Sequence, residues 1–440
     1  MEILIALLVV IVLMVIAVSK FHFHPFLSLL LAGIVMGFIG GLNQSEITGV
    51  LMDGFGKTLG SIGIIIAFGT IIGAYLEKSG GASSLAAWVL KVIGKKRSAL
   101  AMNITGYIVS IPVYCDSGFI ILSSLNKAIS KRTKIPLVVL GISLAAGLYA
   151  THVLVPPTPG PLAATAALNA NLGLVLILGI IVAGPVSLAG FVWAKYIGNK
   201  VISKVPDDFT ETVKTEKTPE IGWSLAPILT PIVLIALKSL SNYPTHPFGE
   251  GIFSTILDFI GNPVIALFIG VFLAFKLKNK NLEETHMHWI ASGLKDAGII
   301  ILITGAGGAF GAILRAVGIG EVIGSQLSSF NMGLFLPFLI AAILKSAQGS
   351  STVSIITTAA IMAPLLEAFG LDSAMGRALS VLSIGAGAMT VSHLNDSFFW
   401  VVAQFTGMDT TTALKSQTVS SFVQGLTGLI IITIIANIFI

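Results

Sequence analysis

A weak internal repeat constrains this chain more than any other feature. Gly60, Gly69, Gly73, Ala74, Leu76 and Gly80 recur about 240 residues later as Gly298, Gly307, Gly311, Ala312, Leu314 and Gly318. Ser143, Ala146, Gly147 and His152 recur as Ser383, Ala386, Gly387 and His393, with one residue of slippage before the histidine. Six identities at one offset, followed by four in register, outweigh chance even in a chain rich in Gly and Ala. Both copies lie in strongly apolar sequence, and each holds two polar, Gly- or Pro-rich interruptions. Backbone that breaks helix at membrane depth must be buried in protein or line a wet cavity. Paired interruptions in two halves are the sequence mark of a secondary transporter with its site between the repeats.

Composition agrees. Of 440 residues, 55% are hydrophobic and only 10% charged, with mean hydropathy +0.96; soluble domains carry roughly 25% charged residues. The apolar runs have the length of membrane-crossing helices rather than of ~10-residue alternating strands. The expected class is therefore an all-α integral membrane protein. The net charge of +5 does not point to nucleic acid. Most of the Lys and Arg fall at Lys20, Lys91–Arg97, Lys127–Lys134, Lys195–Lys217, Lys276–Lys280 and Lys415. Such clusters set orientation by the positive-inside rule, and no basic stripe is interleaved with exposed aromatics. Cys115 is the single cysteine, so no intrachain disulfide and no thiolate metal site is expected. The first apolar run, Ile3–Val18, follows Glu2 and lacks a basic n-region or a cleavage site, so it reads as a retained helix. No Walker sequence is present, and Gly54-Phe55-Gly56 is too weak to be a phosphate loop.

Apolar spans are expected over Ile3–Val18, Phe26–Leu42, Gly60–Leu76, Pro136–Ala150, Gly173–Trp193, Trp223–Leu240, Thr255–Phe275, Gly298–Leu314, Met375–Val391 and Val419–Ile440. Gln44–Thr58 reads as a short interfacial helix, Asp207–Glu220 as a cytoplasmic linker and Pro244–Gly251 as an external loop. The organisation is then N-terminal helices over 1–59, a first repeat over 60–195, a linker over 196–222, and a second half over 223–440 with its repeat from 295. Residues 98–130 lie between two basic clusters that should both face the cytoplasm. Only 29 residues separate Arg97 from Lys127, whereas two crossings need ~40. A re-entrant hairpin satisfies both constraints, with its turn at Ile111–Gly118. A second hairpin is expected over 332–369, with its turn at Lys345–Thr352 and its opening on the outside. Five crossings separate Gly60 from Gly298, an odd number, so the repeats should be inverted relative to each other.

Four breaks should converge near the midplane: Tyr114–Gly118, Thr151–Gly160, Gln348–Thr352 and Ser392–Ser397. Each restarts a helix, and so presents unpaired N–H groups and the positive end of a dipole. Ser117, Ser350, Ser351, Thr352, Asn395 and Ser397 have cap-forming side chains there. Opposed helix N-termini suit a carboxylate, and the extra hydroxyls and amides suit a hydroxylated one. Candidate substrate-binding residues are Asp116, Ser117, Gly118, His152, Thr158, Gln348, Gly349, Ser350, Ser351, Thr352, His393, Asn395, Asp396 and Ser397. Asp116 and Asp396 read either as caps or partners of Lys345, or as a proton or cation relay. The relay is favoured because buried carboxylates in spanning segments are costly, and Asp116 is the preferred carrier. His152, Asp116 and Asp396 are the proton-coupling candidates. Lys345 either snorkels outward or faces a substrate carboxylate, the structural role being preferred. His22, His24, His286 and His288 read as loop residues. Arg315, Arg377, Glu77 and Glu321 read as interfacial, and the Gly69/Gly73 and Gly307/Gly311 pairs as sites of close packing.

At these residues the chain resembles the gluconate:proton symporter (gluconate permease) family, within the ion-transporter superfamily of elevator-type carriers. The resemblance rests on Gly54–Gly80, Ile111–Phe119, His152–Pro161, Ala347–Val353 and Ser392–Trp400. It implies import of gluconate, another sugar acid, glycerate or D-serine with protons, by a homodimer with a mobile transport domain. The family usually has Glu where Asp116 stands and His where Thr158 stands, so glycerate or lactate is as reasonable a substrate as gluconate. No cofactor and no metal are expected; the partners are a small organic anion, protons or Na⁺, and the bilayer of the cytoplasmic membrane. The alternatives are a sodium-coupled or exchanging carrier on the same scaffold, a channel, and an intramembrane enzyme. The last would need a nucleophile beside a base, which Ser117–Asp116 and Ser392–His393 offer only as sequence neighbours.

Overall fold

The computed structural model describes residues 2–21, 23–198, 200–201, 219–241, 251–277, 286–319, 333–394 and 396–439, and these contain helices and no strand. Helices α1 (Glu2–Ser19) and α2 (Pro25–Ile39) precede the long α3 (Gln44–Lys78) and the amphipathic α4 (Gly81–Ile93). Two legs, α5 (Ser98–Val109) and α6 (Cys115–Thr133), lead to the broken pair α7 (Leu137–Leu154) and α8 (Pro159–Ala167), then to α9 (Leu172–Gly198). The second half runs through α10 (Ile221–Ser241), α11 (Ile252–Ile260), α12 (Pro263–Phe275) and α13 (His286–Ala316). Two further legs, α14 (Phe335–Gln348) and α15 (Ser351–Met362), are followed by the broken pair α16 (Ala374–Met389) and α17 (Ser397–Thr406), and by α18 (Val419–Phe439). Five described stretches are long and apolar enough to cross a membrane, or up to seven if each of two bent pairs counts as one. The chain is a multi-pass membrane protein built of whole, bent and broken helices.

Several expectations need correction. Gln44–Thr58 and Gly60–Leu76 belong to one helix, bent near Ser61, rather than to an interfacial helix and a separate span. The hydroxyls of Thr58 and Ser61 donate back to the Gly54 and Thr58 carbonyls at 2.8 Å each, so they continue the helix instead of capping a new one. Thr255–Phe275 is not one span: α11 and α12 meet at 66°. Gly261 closes the first, Asn262 caps the second through the Val264 N–H at 3.0 Å, and Pro263 fits its first turn. Helix α4 was not anticipated as an element. His286 and His288 sit in the first turn of α13 rather than in a loop, and His286 Nδ1 is 2.7 Å from the Tyr75 hydroxyl. His22, Glu321, most of the linker 196–222, nearly all of Pro244–Gly251, and Met332 at the start of the second hairpin lie outside the described residues.

The centre of the molecule is α7, every residue of which is buried. A helix that is apolar all round has no face to give to water and reads as an interior element. Lys96 and Arg97, before α5, line one cavity with Lys134, after α6. The two legs therefore start and finish on the same side.

The repeated residues do the same packing work in both halves. Gly147 of α7 lies against the Asn103 carbonyl of α5, and Gly387 of α16 lies against the Phe338 carbonyl of α14. Ser143 and Ser383, one turn before each glycine, also bond the same leg. The Ser143 carbonyl accepts from Asn103 Nδ2 at 3.0 Å, and the Ser383 hydroxyl donates to the Leu334 carbonyl at 2.6 Å. Earlier in each half, Gly69 and Gly73 of α3 face the Pro157 and Pro112 carbonyls, while Gly307 and Gly311 of α13 face Ile356 and Ala360 of α15. With a glycine at each crossing the backbones approach closely, which is how helices associate where lipid removes the hydrophobic drive between them. Gly147→Ala and Gly387→Ala should each destabilise by ~1–3 kcal/mol through overpacking, whereas Gly298→Ala, with open space around the added methyl, should not. Thermal unfolding in detergent checks this; equal melting temperatures for all three would remove the clasp.

Candidate functional site

The first hairpin turns over Ser110–Tyr114, tighter than expected, because Cys115–Gly118 already form the first turn of α6. The Ser110 hydroxyl donates to the Val113 carbonyl at 2.9 Å and closes the turn. Asp116 thus sits at a helix N-terminus, where the positive end of the dipole favours a carboxylate. It is half-buried, and the hydroxyl of Ser397, the first residue of α17, approaches it at 3.5 Å. Ser117 is also half-buried, while Gly118 packs against Leu148 of α7.

The second hairpin is tighter still. Helix runs through Gln348, and only Gly349 (φ 88°) and Ser350 separate the legs. Ser350 accepts from the Val353 N–H at 3.3 Å as the cap of α15, Ser351 is buried in its first turn, and Thr352 is half-buried. Lys345, in the last turn of α14, does not snorkel outward: its side chain is fully buried and lies 2.7 Å from Asp396. Its ammonium also donates to the Gly349 carbonyl, tying the tip to the leg, and lies 5.8 Å from the centre of the Tyr149 ring.

Asp396 is held from several sides. Besides Lys345, it accepts from the Ser392 hydroxyl and from the Phe398 N–H at 3.1 Å, capping α17. Around it, α16 ends at Met389, and Val391 takes φ 60°. That left-handed conformation is a strained one for a β-branched residue and marks an over-determined turn. His393 Nε2 is 3.0 Å from the Ser346 carbonyl, so the turn touches the second hairpin twice. Asn395 lies outside the described residues.

In the other broken pair the helix continues through Thr151–Leu154, so His152 belongs to the last turn of α7 and the break is only Val155–Thr158. Expecting the break to begin at Thr151 overlooked that Thr151 can bond back to its own helix; its hydroxyl lies 3.4 Å from the Gly147 carbonyl. His152 is buried, its ring 6.0 Å from that of Tyr114, and neither its Nδ1 nor the Tyr114 hydroxyl has a partner among the described residues. Thr158 is buried and donates to the Val155 carbonyl at 2.5 Å. Tyr114 and Thr158, with Thr70 of α3, line a small cavity of about 10 Å³ walled by Pro112, Pro157 and Pro159.

These contacts form a ring. Asp116 joins the start of α6 to that of α17, Asp396 joins α17 to the second hairpin, and Gly160 places the start of α8 beside Thr352 of α15. The cavity joins α8 back to the first hairpin. Four helix N-termini, each worth roughly +0.5 charge, thus surround one region. Sequence reasoning missed the weight of Lys345 and Ser392 and the part of Tyr149. The signal for Lys345 was present: a cation deep in an apolar run needs an anion. Nothing in the sequence marked Tyr149. Among the described residues no group of His, Cys, Asp or Glu is placed to hold a metal ion.

A family model described as GntP family permease matches residues 1–438. The chain is 33% identical over 438 residues to a gluconate permease of Pseudomonas aeruginosa, covering 98% of this chain and 96% of that protein. It is also 33% identical over 431 residues to a D-serine transporter of Escherichia coli, covering 96% of each. Among solved structures, the YdaH transporter of Alcanivorax borkumensis is similar in fold, with TM-score 0.62, 13% identity and coverage of 91% of this chain and 90% of that one.

The ion pair makes a quantitative prediction. Lys345→Met or Asp396→Asn alone should each cost ~3–5 kcal/mol, since either leaves one buried charge uncompensated. The double variant should lose far less than the sum. Unfolding midpoints in detergent for the four proteins of this cycle would test it, and additive losses would refute the coupling.

Proposed function

Because the chain belongs to the GntP family of permeases, we propose that it is a secondary active transporter importing a small hydroxycarboxylate with protons across the cytoplasmic membrane. The observation that carries this reading is the ring of four helix N-termini, which contains one buried cation, Lys345, already neutralised by Asp396. The attraction for a carboxylate therefore comes from helix ends and their N–H groups rather than from a free positive side chain. Ser117, Ser350, Ser351 and Thr352 stand at those ends. Among the described residues His152 Nδ1 and the Tyr114 hydroxyl are buried polar atoms without a hydrogen-bond partner, suited to substrate hydroxyls or water. Relatives named as a gluconate permease and a D-serine transporter favour a small acid such as glycerate, lactate or gluconate.

Coupling follows from charge. An ionised Asp116 at the rim of an anion site repels the substrate carboxylate, and a proton on Asp116 removes that repulsion. Proton and substrate then favour each other's binding, by the same factor in both directions. Asp396 carries the structural load of cap and ion pair, which leaves Asp116 the better coupling group. In the elevator reading that the family resemblance supports, the two hairpins and two broken helices move as one body in a homodimer of inverted repeats.

Uptake of labelled gluconate into proteoliposomes under an inward proton gradient without sodium tests the proposal, with glycerate, lactate and D-serine as competitors. Accumulation that collapses with a protonophore is the expected result; accumulation only when sodium is added would overturn proton coupling. Asp116→Asn should abolish accumulation while leaving exchange of pre-loaded substrate. Ser350→Ala with Asn395→Ala should weaken substrate affinity roughly tenfold, about 0.5–1.5 kcal/mol for each hydrogen bond lost. Unchanged pH-driven accumulation in the first variant, or unchanged affinity in the second, would remove those residues from their roles.

A further inference from the structure

A basic cavity among the described residues lies away from the proposed transport site. An open cavity of about 500 Å³ sits at the base of the first hairpin and is lined by Lys96, Arg97, Lys134 and Lys195. Lys96 and Arg97 lead into α5, Lys134 follows α6, and Lys195 belongs to α9, so three separate segments bring their cations to one place. Among the described residues none of the four pairs with a carboxylate. Lys195 has only the Phe191 ring beside it, at 5.5 Å. Four like charges around one space repel one another unless an anion compensates them.

The floor of this cavity is apolar, with Val139 and Phe191 in its lining. Below it α9 presents Ile181, Leu188 and Val192, exposed by 55%, 46% and 63%. Their spacing of seven and four residues, continued by Lys195 three residues on, keeps all four on one helix face. That stripe runs along α9 away from the basic rim, on a helix long and apolar enough to cross a membrane. Cations above exposed apolar side chains complement a molecule that is anionic at one end and aliphatic at the other, and basic pockets between helices on the cytoplasmic side hold lipid headgroups.

We propose that this cavity binds the phosphate headgroup of an anionic phospholipid of the inner leaflet, with its acyl chain along the Ile181–Leu188–Val192 face of α9. Bound there, one phosphate bridges both feet of the first hairpin to α9. The site is independent of which substrate is carried.

Purified full-length protein in detergent is titrated with phosphatidylglycerol, with phosphatidylcholine and with inorganic phosphate, and bound lipid is read by native mass spectrometry. Phosphatidylglycerol is expected to bind and phosphatidylcholine not. Arg97→Gln with Lys134→Asn, asparagine being chosen because Lys134 has φ 61°, should weaken phosphatidylglycerol binding about twenty-five-fold, or about fivefold per cation. Lys195→Gln should weaken it about fivefold and serves if the double variant fails to fold. Lys91→Gln with Lys131→Gln removes two neighbouring cations outside the cavity and should change binding less than twofold. Equal losses in the two double variants would mean unspecific surface charge and overturn the site. Unchanged binding in Arg97→Gln/Lys134→Asn and Lys195→Gln would do the same, and displacement of lipid by low-millimolar inorganic phosphate would identify a soluble-anion site instead.

Discussion

At membrane depth a backbone N–H or carbonyl has no water to turn to, and every break in a helix must be answered by another part of the protein. At the breaks around the site, the answer comes from the same break or from a neighbouring one. The Gly349 carbonyl is met by Lys345, the Phe398 N–H by Asp396, and the Ser346 carbonyl lies against His393. The glycines of α3 and α13 then let whole helices come close enough to wall off the region. What remains at its centre is a set of helix N-termini whose charge is held by backbone, not by mobile side chains. Such a set is preorganised and stays in place without counter-ions.

The two carboxylates at the site illustrate how environment divides labour. Asp396 is bound by a buried ammonium, a hydroxyl and a backbone amide. Removing its charge would leave Lys345 alone in a low-dielectric interior, which is the expensive case for a buried pair. Asp116 has a hydroxyl at the long end of hydrogen bonding and stays half-buried. A group can exchange a proton during a transport cycle only if the fold survives both of its states. By that criterion the less engaged carboxylate is the one that the proposed coupling role fits.

The architecture was legible because apolar length, cation clusters and recurring glycines are backbone-level signals. The count of 29 residues between Arg97 and Lys127 led to a hairpin, and Lys96, Arg97 and Lys134 do face one cavity. Element ends were less legible. Threonines and serines are written alike whether they cap a helix or bond back into it, so Thr151 read as a break and proved helical. The single span expected over Thr255–Phe275 hid the Gly261-Asn262-Pro263 corner, whose three residues signal a stop and a restart but are outweighed by the apolar run around them. Partnerships across the fold were barely legible: a pair of Lys345 with Asp116 or Asp396 was one open reading, and the less favoured one. That Lys345 turns inward to Asp396, or that Tyr149 lies beside both Lys345 and Phe398, depends on packing between distant segments.

The two repeats agree where backbone meets backbone and differ where side chains meet the site. Gly147 and Gly387 do the same job, each clasping the first leg of a hairpin. His152 and His393, equally matched in the repeat, do not: one is buried beside Tyr114 with an unpartnered Nδ1, and the other is tied to the Ser346 carbonyl. The buried ion pair likewise exists on one side only, since the first hairpin places Asp116 where the second places a capped tip held by lysine. Close packing constrains shape, and shape must repeat if two halves are to enclose one region. Recognition of a small asymmetric acid has no such requirement, because its carboxylate and its hydroxyls need different surroundings. A site between two copies of one scaffold can therefore keep common glycines and diverge in every residue that touches the cargo.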